Sequence, residues 1–391
     1  MNSFQLNLKT YLKRTATYYP EKEIISKETD GSLFRYNYAQ FYERTKRLAN
    51  VLKRLGIKKG DNVASLAWNT HRHLELYFGV PCYGATLHTV NIRYGEAEII
   101  YTINHAEDEI IFFDKEQLPI IEKVAPKLNT IKAFIILDKE VPHDTSLSPI
   151  YAYEELIKEE ESDYIFEDLE ENTPASICYT SATTGLPKGV VYSHRSICLH
   201  ASALCFKDVM ALSEHDSILP IVPMFHATSW GLPYSAVLIG ATLVLPGTRP
   251  KTEDVLALIE SQKVTYSAAA VTIGIDMLRI LESKSYDISS LRELLLGGQA
   301  IPKTVIEKFK THYSLPLVQA FGATETSPIV TFFHVRKDQE NMSENAINEL
   351  RSRQGIVLPG IEMKIVNEDG KEIPWDDNEM GEIVVRGPWI A

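Results

Sequence analysis

With 391 residues the chain is too long for one ordinary core and is expected to divide into two or three subdomains. Its apolar content of 45% is ample for globular folding, and 40 basic against 52 acidic residues, a net charge of −12, argue against a nucleic-acid partner, which needs a basic face. The opening Met1-Asn-Ser-Phe-Gln-Leu-Asn lacks the basic-then-apolar pattern of a secretory signal, and no apolar run approaches the roughly 20 residues of a membrane span. Cys82, Cys178, Cys198 and Cys205 show no paired spacing, so a cytoplasmic protein with free thiols and no transmembrane segment is expected.

Helical and strand patterns alternate from about residue 36 to 325. Phe41, Leu48, Leu52 and Leu55 mark one helical face, which Gly56 stops. Strands are predicted at 62–68, 109–113, 133–137, 175–179, 190–192, 218–222, 241–245, 264–268, 294–296 and 316–321. Helices at 117–128, 195–206, 252–261, 273–283 and 303–312 separate most of them. Apolar strands interleaved with helices predict an α/β fold of two layered subdomains with mainly parallel sheets, over 1–335. His71, His73 and His88 read as structural, because the first two do not share a helix face and no carboxylate completes a metal set. Residues 154–171 hold ten carboxylates with only Lys158, and read as a solvated charged connection. Residues 336–354 are polar and read as a surface helix or linker. Over 355–391, two alternating runs around the turn Asn367-Glu-Asp-Gly370 predict a small antiparallel β unit.

The segment Tyr179-Thr-Ser-Ala-Thr-Thr-Gly-Leu-Pro-Lys-Gly189 offers hydroxyls, approachable backbone N–H groups and one ammonium, a set that suits a polyphosphate. By composition alone an ordinary polar turn explains it equally well. It is not the G-x-x-x-x-G-K-[ST] loop, because Pro187 precedes Lys188 and Gly189 follows it. The order of residues resembles the [YF]-T-[ST]-G-T-T-G-x-P-K-G signature of the adenylate-forming superfamily, which holds acyl-CoA synthetases, peptide-synthetase adenylation domains and beetle luciferases. Only Ala182 departs from it, where the family usually has Gly; a Cβ there demands φ below zero or crowds a phosphate oxygen. The resemblance implies an ATP site at Thr180, Ser181, Ala182, Thr183, Thr184, Gly185 and Lys188.

Three further segments extend the resemblance over nearly the whole chain. Gln319-Ala-Phe-Gly-Ala-Thr-Glu325 could be a strand-end loop with a capping Thr, but it resembles the family's Q-G-[YF]-G-x-T-E motif. On that match Gln319, Ala320, Phe321, Gly322, Ala323 and Thr324 join the ATP site, with Phe321 stacked on adenine and Thr324 at the α-phosphate. The same match implies that Glu325, with Thr180, holds Mg²⁺. Ala320 stands where the family usually has Gly. Gly298, Gln299 and Ala300, after the strand at 294–296, are implied as one wall of the adenine site. In Pro223-Met-Phe-His-Ala-Thr-Ser-Trp230, Phe225-His226 replaces the F-D by which peptide-synthetase domains pair an amino acid's ammonium. The acid is therefore expected to be a plain carboxylic acid, with His226 beside its carboxylate and Trp230, Gly231 and Leu232 lining the acyl pocket. No G-x-S-x-G elbow supports a serine hydrolase.

The resemblance implies the large N-terminal domain of a medium- to long-chain fatty acid–CoA ligase, with a β-barrel-like unit at its end. Its substrates would be ATP, a fatty acid and coenzyme A, and its catalytic groups His226, Thr324, Glu325 and Lys188. The family's T-G-D motif and mobile C-terminal domain, with its catalytic lysine, are absent from the sequence, so the chain is expected to be poorly active alone. An aryl- or short-chain acid ligase, and a non-catalytic ATP- and acyl-binding module, stay open as alternatives. A homodimer is a candidate assembly.

Overall fold

The computed structural model describes residues 4–180, 185–376 and 378–391. Two large sheets carry the fold. One has seven strands in the order Ile150–Ala152, Ala133–Ile136, Asp108–Phe113, Asn62–Leu66, Thr86–Thr89, Pro174–Tyr179 and Gly189–Ser193, parallel except for the last pair. The other has nine: Ile356–Val357, Ile329–Phe332, Leu317–Gly322, Glu293–Gly297, Tyr266–Ala270, Ser217–Pro220, Thr242–Leu245, Glu23–Lys27 and Leu33–Asn37. Its middle strands are parallel, and antiparallel strands close both edges.

Helices Tyr38–Arg54, His71–Tyr83, His194–Leu204 and Leu232–Ile239 share one core with the inner faces of both sheets. The outer face of the nine-stranded sheet is covered by Thr252–Ser261, Val271–Leu281 and Lys303–Tyr313. Glu96–Ala106 and Leu118–Val124 cover that of the seven-stranded sheet. Strands buried on both faces need apolar residues throughout, which is why Glu-Ile-Ile-Phe-Phe113 and Ala-Phe-Ile-Ile136 read as continuous runs. A separate two-stranded antiparallel sheet, Glu362–Val366 with Glu382–Arg386, follows helix Glu344–Arg351.

The expected α/β alternation is present; strand Thr86–Thr89 and helices Glu96–Ala106 and Leu232–Ile239 are among the elements it did not include, and four other differences bear on the reading. Helix Lys9–Tyr18 and the strand pair at the start of the chain join the fold unpredicted. Helix His71–Tyr83 is buried along its whole length, His71 and His73 included. The helix expected over 117–128 is only Leu118–Val124, flanked by 3-10 turns; Pro126, which has no N–H to donate, lies just beyond its end.

The fourth difference is a correction. The acidic stretch is not simply solvated, because Tyr153–Glu159 is a helix and Glu154 turns inward to Arg72 Nε at 2.7 Å and Arg44 at 3.0 Å. Burial alone would raise its pKa, but the His71 contact and the two guanidiniums together hold it below the usual range. Arg44 also reaches the fully buried Glu75 at 2.8 Å, which Tyr153 Oη satisfies at 2.6 Å. A buried charge is tolerable only when paired in this way.

The four cysteines are unpaired, three of them buried. Among the described residues no helix is long and apolar enough to cross a membrane.

Candidate active site

Strand Pro174–Tyr179 ends at the expected phosphate loop, and strand Gly189–Ser193 leaves it antiparallel. Ser181, Ala182, Thr183 and Thr184 lie outside the described residues. Thr180 and Lys188 close the base of the loop: Thr180 N–H donates to the Lys188 carbonyl at 2.9 Å, and Lys188 N–H to Thr180 Oγ1 at 3.3 Å. Gly185 takes φ +95°, a conformation that suits glycine. The Lys188 side chain is exposed and, among the described residues, has no carboxylate partner.

The second motif sits at the end of strand Leu317–Gly322, in the other sheet. Gly322 packs so closely that a Cβ would lie 1.8 Å from the Pro328 carbonyl oxygen. That same oxygen accepts from Ala323 N–H at 3.1 Å and from the Thr326 hydroxyl, fixing the 3-10 turn Thr324–Thr326. Glu325 is exposed on this turn, its backbone carbonyl accepting from Ala391 N–H at 2.9 Å. Phe321 is 37% exposed, enough to offer a ring face. Gln319 instead points inward, fully buried, accepting from Ile301 N–H at 3.1 Å and so tying the 298–301 turn to this strand. Gly298 (φ +87°), Gln299 and Ala300 stand exposed at the end of the neighbouring strand.

Tyr192 joins the two motifs. Its hydroxyl, on the strand leaving the phosphate loop, donates to the Thr324 carbonyl at 2.6 Å. The two motifs, each at a strand end of its own sheet, are thus linked through Tyr192, and strand ends are where open α/β sheets bind ligands.

Between them runs the 223–231 segment. Asn69, 2% exposed, donates to the Pro220 and Val222 carbonyls at 2.8 and 2.9 Å and accepts from Met224 N–H at 2.7 Å. Then Ala227, Thr228, Ser229, Trp230 and Gly231 all adopt positive φ, between 41° and 78°. This left-handed run swings Trp230 against Gly297, where an added Cβ would fall 2.7 Å from the indole. Gly231 is likewise obligatory, since a Cβ would lie 2.7 Å from His200 Nδ1.

A cavity of about 80 Å³ is lined by His226, Ala227, Trp230, Gly298, Ala320, Phe321, Gly322, Ala323, Thr324, Pro328 and Ile329. It therefore gathers eight of the residues singled out in the sequence. Gly231 and the fully buried Leu232 lie behind it in the core, and Gln299, Ala300, Gln319, Thr180, Gly185, Lys188 and Glu325 are outside its wall. The volume is far below the roughly 300 Å³ of a pocket that encloses a small molecule, so it accommodates only part of one. His226 stands at the mouth, where desolvation by its surroundings and then the Arg93 charge lower its pKa, keeping the imidazole neutral. Among the described residues a larger groove, about 670 Å³, lies elsewhere, against helix Lys9–Tyr18. Asn69 and Tyr192 escaped the sequence reading; Tyr192 at least sat in a recognised strand.

The family model for AMP-binding enzymes matches residues 12–391. The long-chain-fatty-acid–CoA ligase of Thermus thermophilus is 40% identical over 387 residues, covering 99% of this chain and 70% of that protein. The medium-chain-fatty-acid–CoA ligase of Ectopseudomonas oleovorans is 37% identical, over 99% of this chain and 71% of its own length. Among solved structures, an anthranilate CoA ligase in complex with anthranoyl-AMP superposes with a TM-score of 0.87 at 22% identity, over 98% of this chain and 70% of that one. With the fold, both sheet-end motifs and relatives at this level of identity in agreement, the chain belongs to the AMP-binding enzymes, and within them to the acyl-CoA ligases.

Proposed function

We propose that the chain activates a fatty acid with ATP and passes the acyl group to coenzyme A. In the first step an acid carboxylate oxygen bonds to the α-phosphorus while the bond to the β-phosphate breaks and pyrophosphate leaves. In the second, the thiol sulfur of coenzyme A bonds to the acyl carbon, its proton goes to solvent and AMP leaves. No enzyme nucleophile enters; the protein positions the reactants and neutralises charge.

The observation that carries the reading is the Tyr192–Thr324 hydrogen bond, which joins the phosphate-loop strand to the Thr324–Glu325 turn beside His226 and Trp230. Phe321 and Gly298 would flank adenine; Thr180, Lys188 and Thr324 would contact phosphates. The residues present suit a Mg²⁺ arriving with the nucleotide. Glu325 is an exposed carboxylate with no cation partner among the described residues, and Thr180 adds a hydroxyl. No cluster of three His, Cys, Asp or Glu stands among the described residues, so phosphates and water would complete the shell. Among the described residues no carboxylate lines the cavity, which suits an acid without an ammonium group. We take 1–335 as the nucleotide-binding core, with 336–354 connecting it to the β unit at 355–391. The unpaired thiols suit a reducing cytoplasm.

Calorimetry tests the nucleotide part: Mg-ATP binds, and Lys188→Ala and Glu325→Ala each weaken it by roughly 1.5–3 kcal/mol, the scale of charge-assisted contacts. Wild-type affinity in both would refute the assignment. Acid-dependent pyrophosphate exchange with aryl, short and long acids tests the substrate. The resemblance puts a catalytic lysine in the part of the relatives that this chain does not span. Exchange by the 391-residue polypeptide should therefore be near the detection limit, and joining a relative's C-terminal segment after Ala391 should raise it.

A further inference from the structure

The base of the phosphate loop is gripped by side chains that belong to none of the motifs. Tyr179, the last residue of the entering strand, shares a 2.7 Å hydrogen bond between its hydroxyl and His105 Nδ1. His105 lies in the last turn of helix Glu96–Ala106, its ring 5.3 Å from that of Tyr101. The Tyr179 ring also packs 4.9 Å from His88, which is locked to Asp108 at 2.6 Å with both side chains fully buried. On the leaving strand Gly189 makes room for that ring, since a Cβ there would sit 3.1 Å from Tyr179 Cζ. One residue on, Tyr94 Oη donates to the Thr180 carbonyl at 3.2 Å. Ala106, Ile177 and Tyr179, with Tyr94 and Tyr101 against them, form a small apolar cluster beside the three larger cores, one of which Tyr94 also touches.

We propose that His105 and Tyr94 are positioning residues for the nucleotide's β- and γ-phosphates, acting through Tyr179 and Thr180; this rests on the ATP reading above. Thr180 and Lys188 are cross-tied at the loop base, so whatever fixes Tyr179 and Thr180 also fixes the Lys188 backbone. Placement matters more here than strength, because a shift of about 1 Å in a positioned group can cost on the order of a hundredfold. His105 is exposed, so its hydrogen bond is not needed to fill a core. The satellite cluster is the kind that supports a loop from below. The grip therefore acts on the loop and little on global stability.

The test is calorimetry on this chain with Mg-ATP and, in parallel, with AMP, which has no β- or γ-phosphate. His105→Ala, Tyr179→Phe and Tyr94→Phe should each weaken Mg-ATP about fivefold to tenfold, the worth of one hydrogen bond, and leave AMP within twofold. Because His105 acts through the Tyr179 hydroxyl, the His105→Ala/Tyr179→Phe double variant should be no weaker than the weaker single one. Unchanged Mg-ATP affinity in the variants, equal loss for ATP and AMP, or full additivity in the double variant would overturn the inference while leaving the ATP reading intact. Failure of the unmodified chain to bind Mg-ATP would overturn that reading, and this inference with it.

Discussion

Gly322→Ala separates a glycine required by space from one required only by conformation. The added methyl would fall 1.8 Å from the Pro328 carbonyl oxygen, 2.6 Å from its carbon and 3.0 Å from Ile329 Cα, all backbone atoms. No rotamer relieves that, so Pro328 must retreat by more than an ångström. The carbonyl that moves is the one receiving Ala323 N–H and the Thr326 hydroxyl, and with it goes the turn presenting Thr324 and Glu325. Overpacking of this kind costs about 1–3 kcal/mol of stability. The displaced turn should cost a further 1.5–3 kcal/mol of Mg-ATP affinity, the loss of one charge-assisted contact. Gly31→Ala, in a turn far from the cavity, is the control: φ is +86°, but apart from its chain neighbours no described atom lies within 4 Å of the new methyl. It should cost about 1–2 kcal/mol of stability from backbone strain alone. Urea unfolding and calorimetry on both variants read the two quantities. Gly322→Ala binding Mg-ATP as tightly as wild type would refute the placement of this turn at the nucleotide.

Tyr192→Phe leaves the Thr324 carbonyl without its 2.6 Å donor and should destabilise the fold by about 1–3 kcal/mol, read by urea unfolding; a change under a few tenths would remove this link between the motifs. Trp230→Ala opens space beside Gly297 and should shift which acyl chain length binds best, read by competition among acids of graded length; an unchanged profile would take Trp230 out of the acyl pocket. Acid stability tests His200, which burial holds at about 3 while it accepts from Ile329 N–H. The unfolded pKa of about 6.5 lies higher, so below it the unfolded chain gains a proton that the folded chain refuses. Stability is therefore lost as pH falls from about 6.5 toward 3, by about 1.4 kcal/mol per unit. His200→Gln should show a shallower fall between pH 6 and 4, and an identical slope would mean that His200 is not held neutral.

The layered α/β core was legible because its strands are buried on both faces and its outer helices on one, so each writes its period into the sequence. Helix His71–Tyr83 wrote none: it is buried on all sides, and a helix without a polar face has no amphipathic stripe to detect. The first two strands were missed for another reason, since each is five residues long, the first bounded by Glu23 and Lys27 and the second interrupted by Arg35. Glu154 shows the limit of reading charge locally. Its partners Arg44 and Arg72 lie 110 and 82 residues away, so a run of acids that looks solvated conceals a half-buried ion pair.

The site divides along the same line. Loops that contact a ligand through backbone and short polar side chains constrain residue type position by position, and such segments stood out. What holds those loops together did not, because Tyr192 with Thr324, Asn69 with Val222 and His105 with Tyr179 pair across 132, 153 and 74 residues. The 227–231 run was hidden more deeply still. Of Ala-Thr-Ser-Trp-Gly only the glycine takes positive φ without strain, and the β-branched Thr228 resists it, so the residues themselves argue against the conformation they adopt. Four non-glycine residues there cost about 1–2 kcal/mol each. The surroundings must over-determine such a segment. Ser229 Oγ donates to the Val222 carbonyl at 2.6 Å and its N–H to the His226 carbonyl at 3.0 Å, while Asn69 grips the residues just before. Trp230 is thereby held over Gly297 at the cavity wall, and relaxing the run to ordinary helix would aim the indole elsewhere. The strain of four backbone positions thus serves to place one side chain, the Trp230 indole, in the cavity wall.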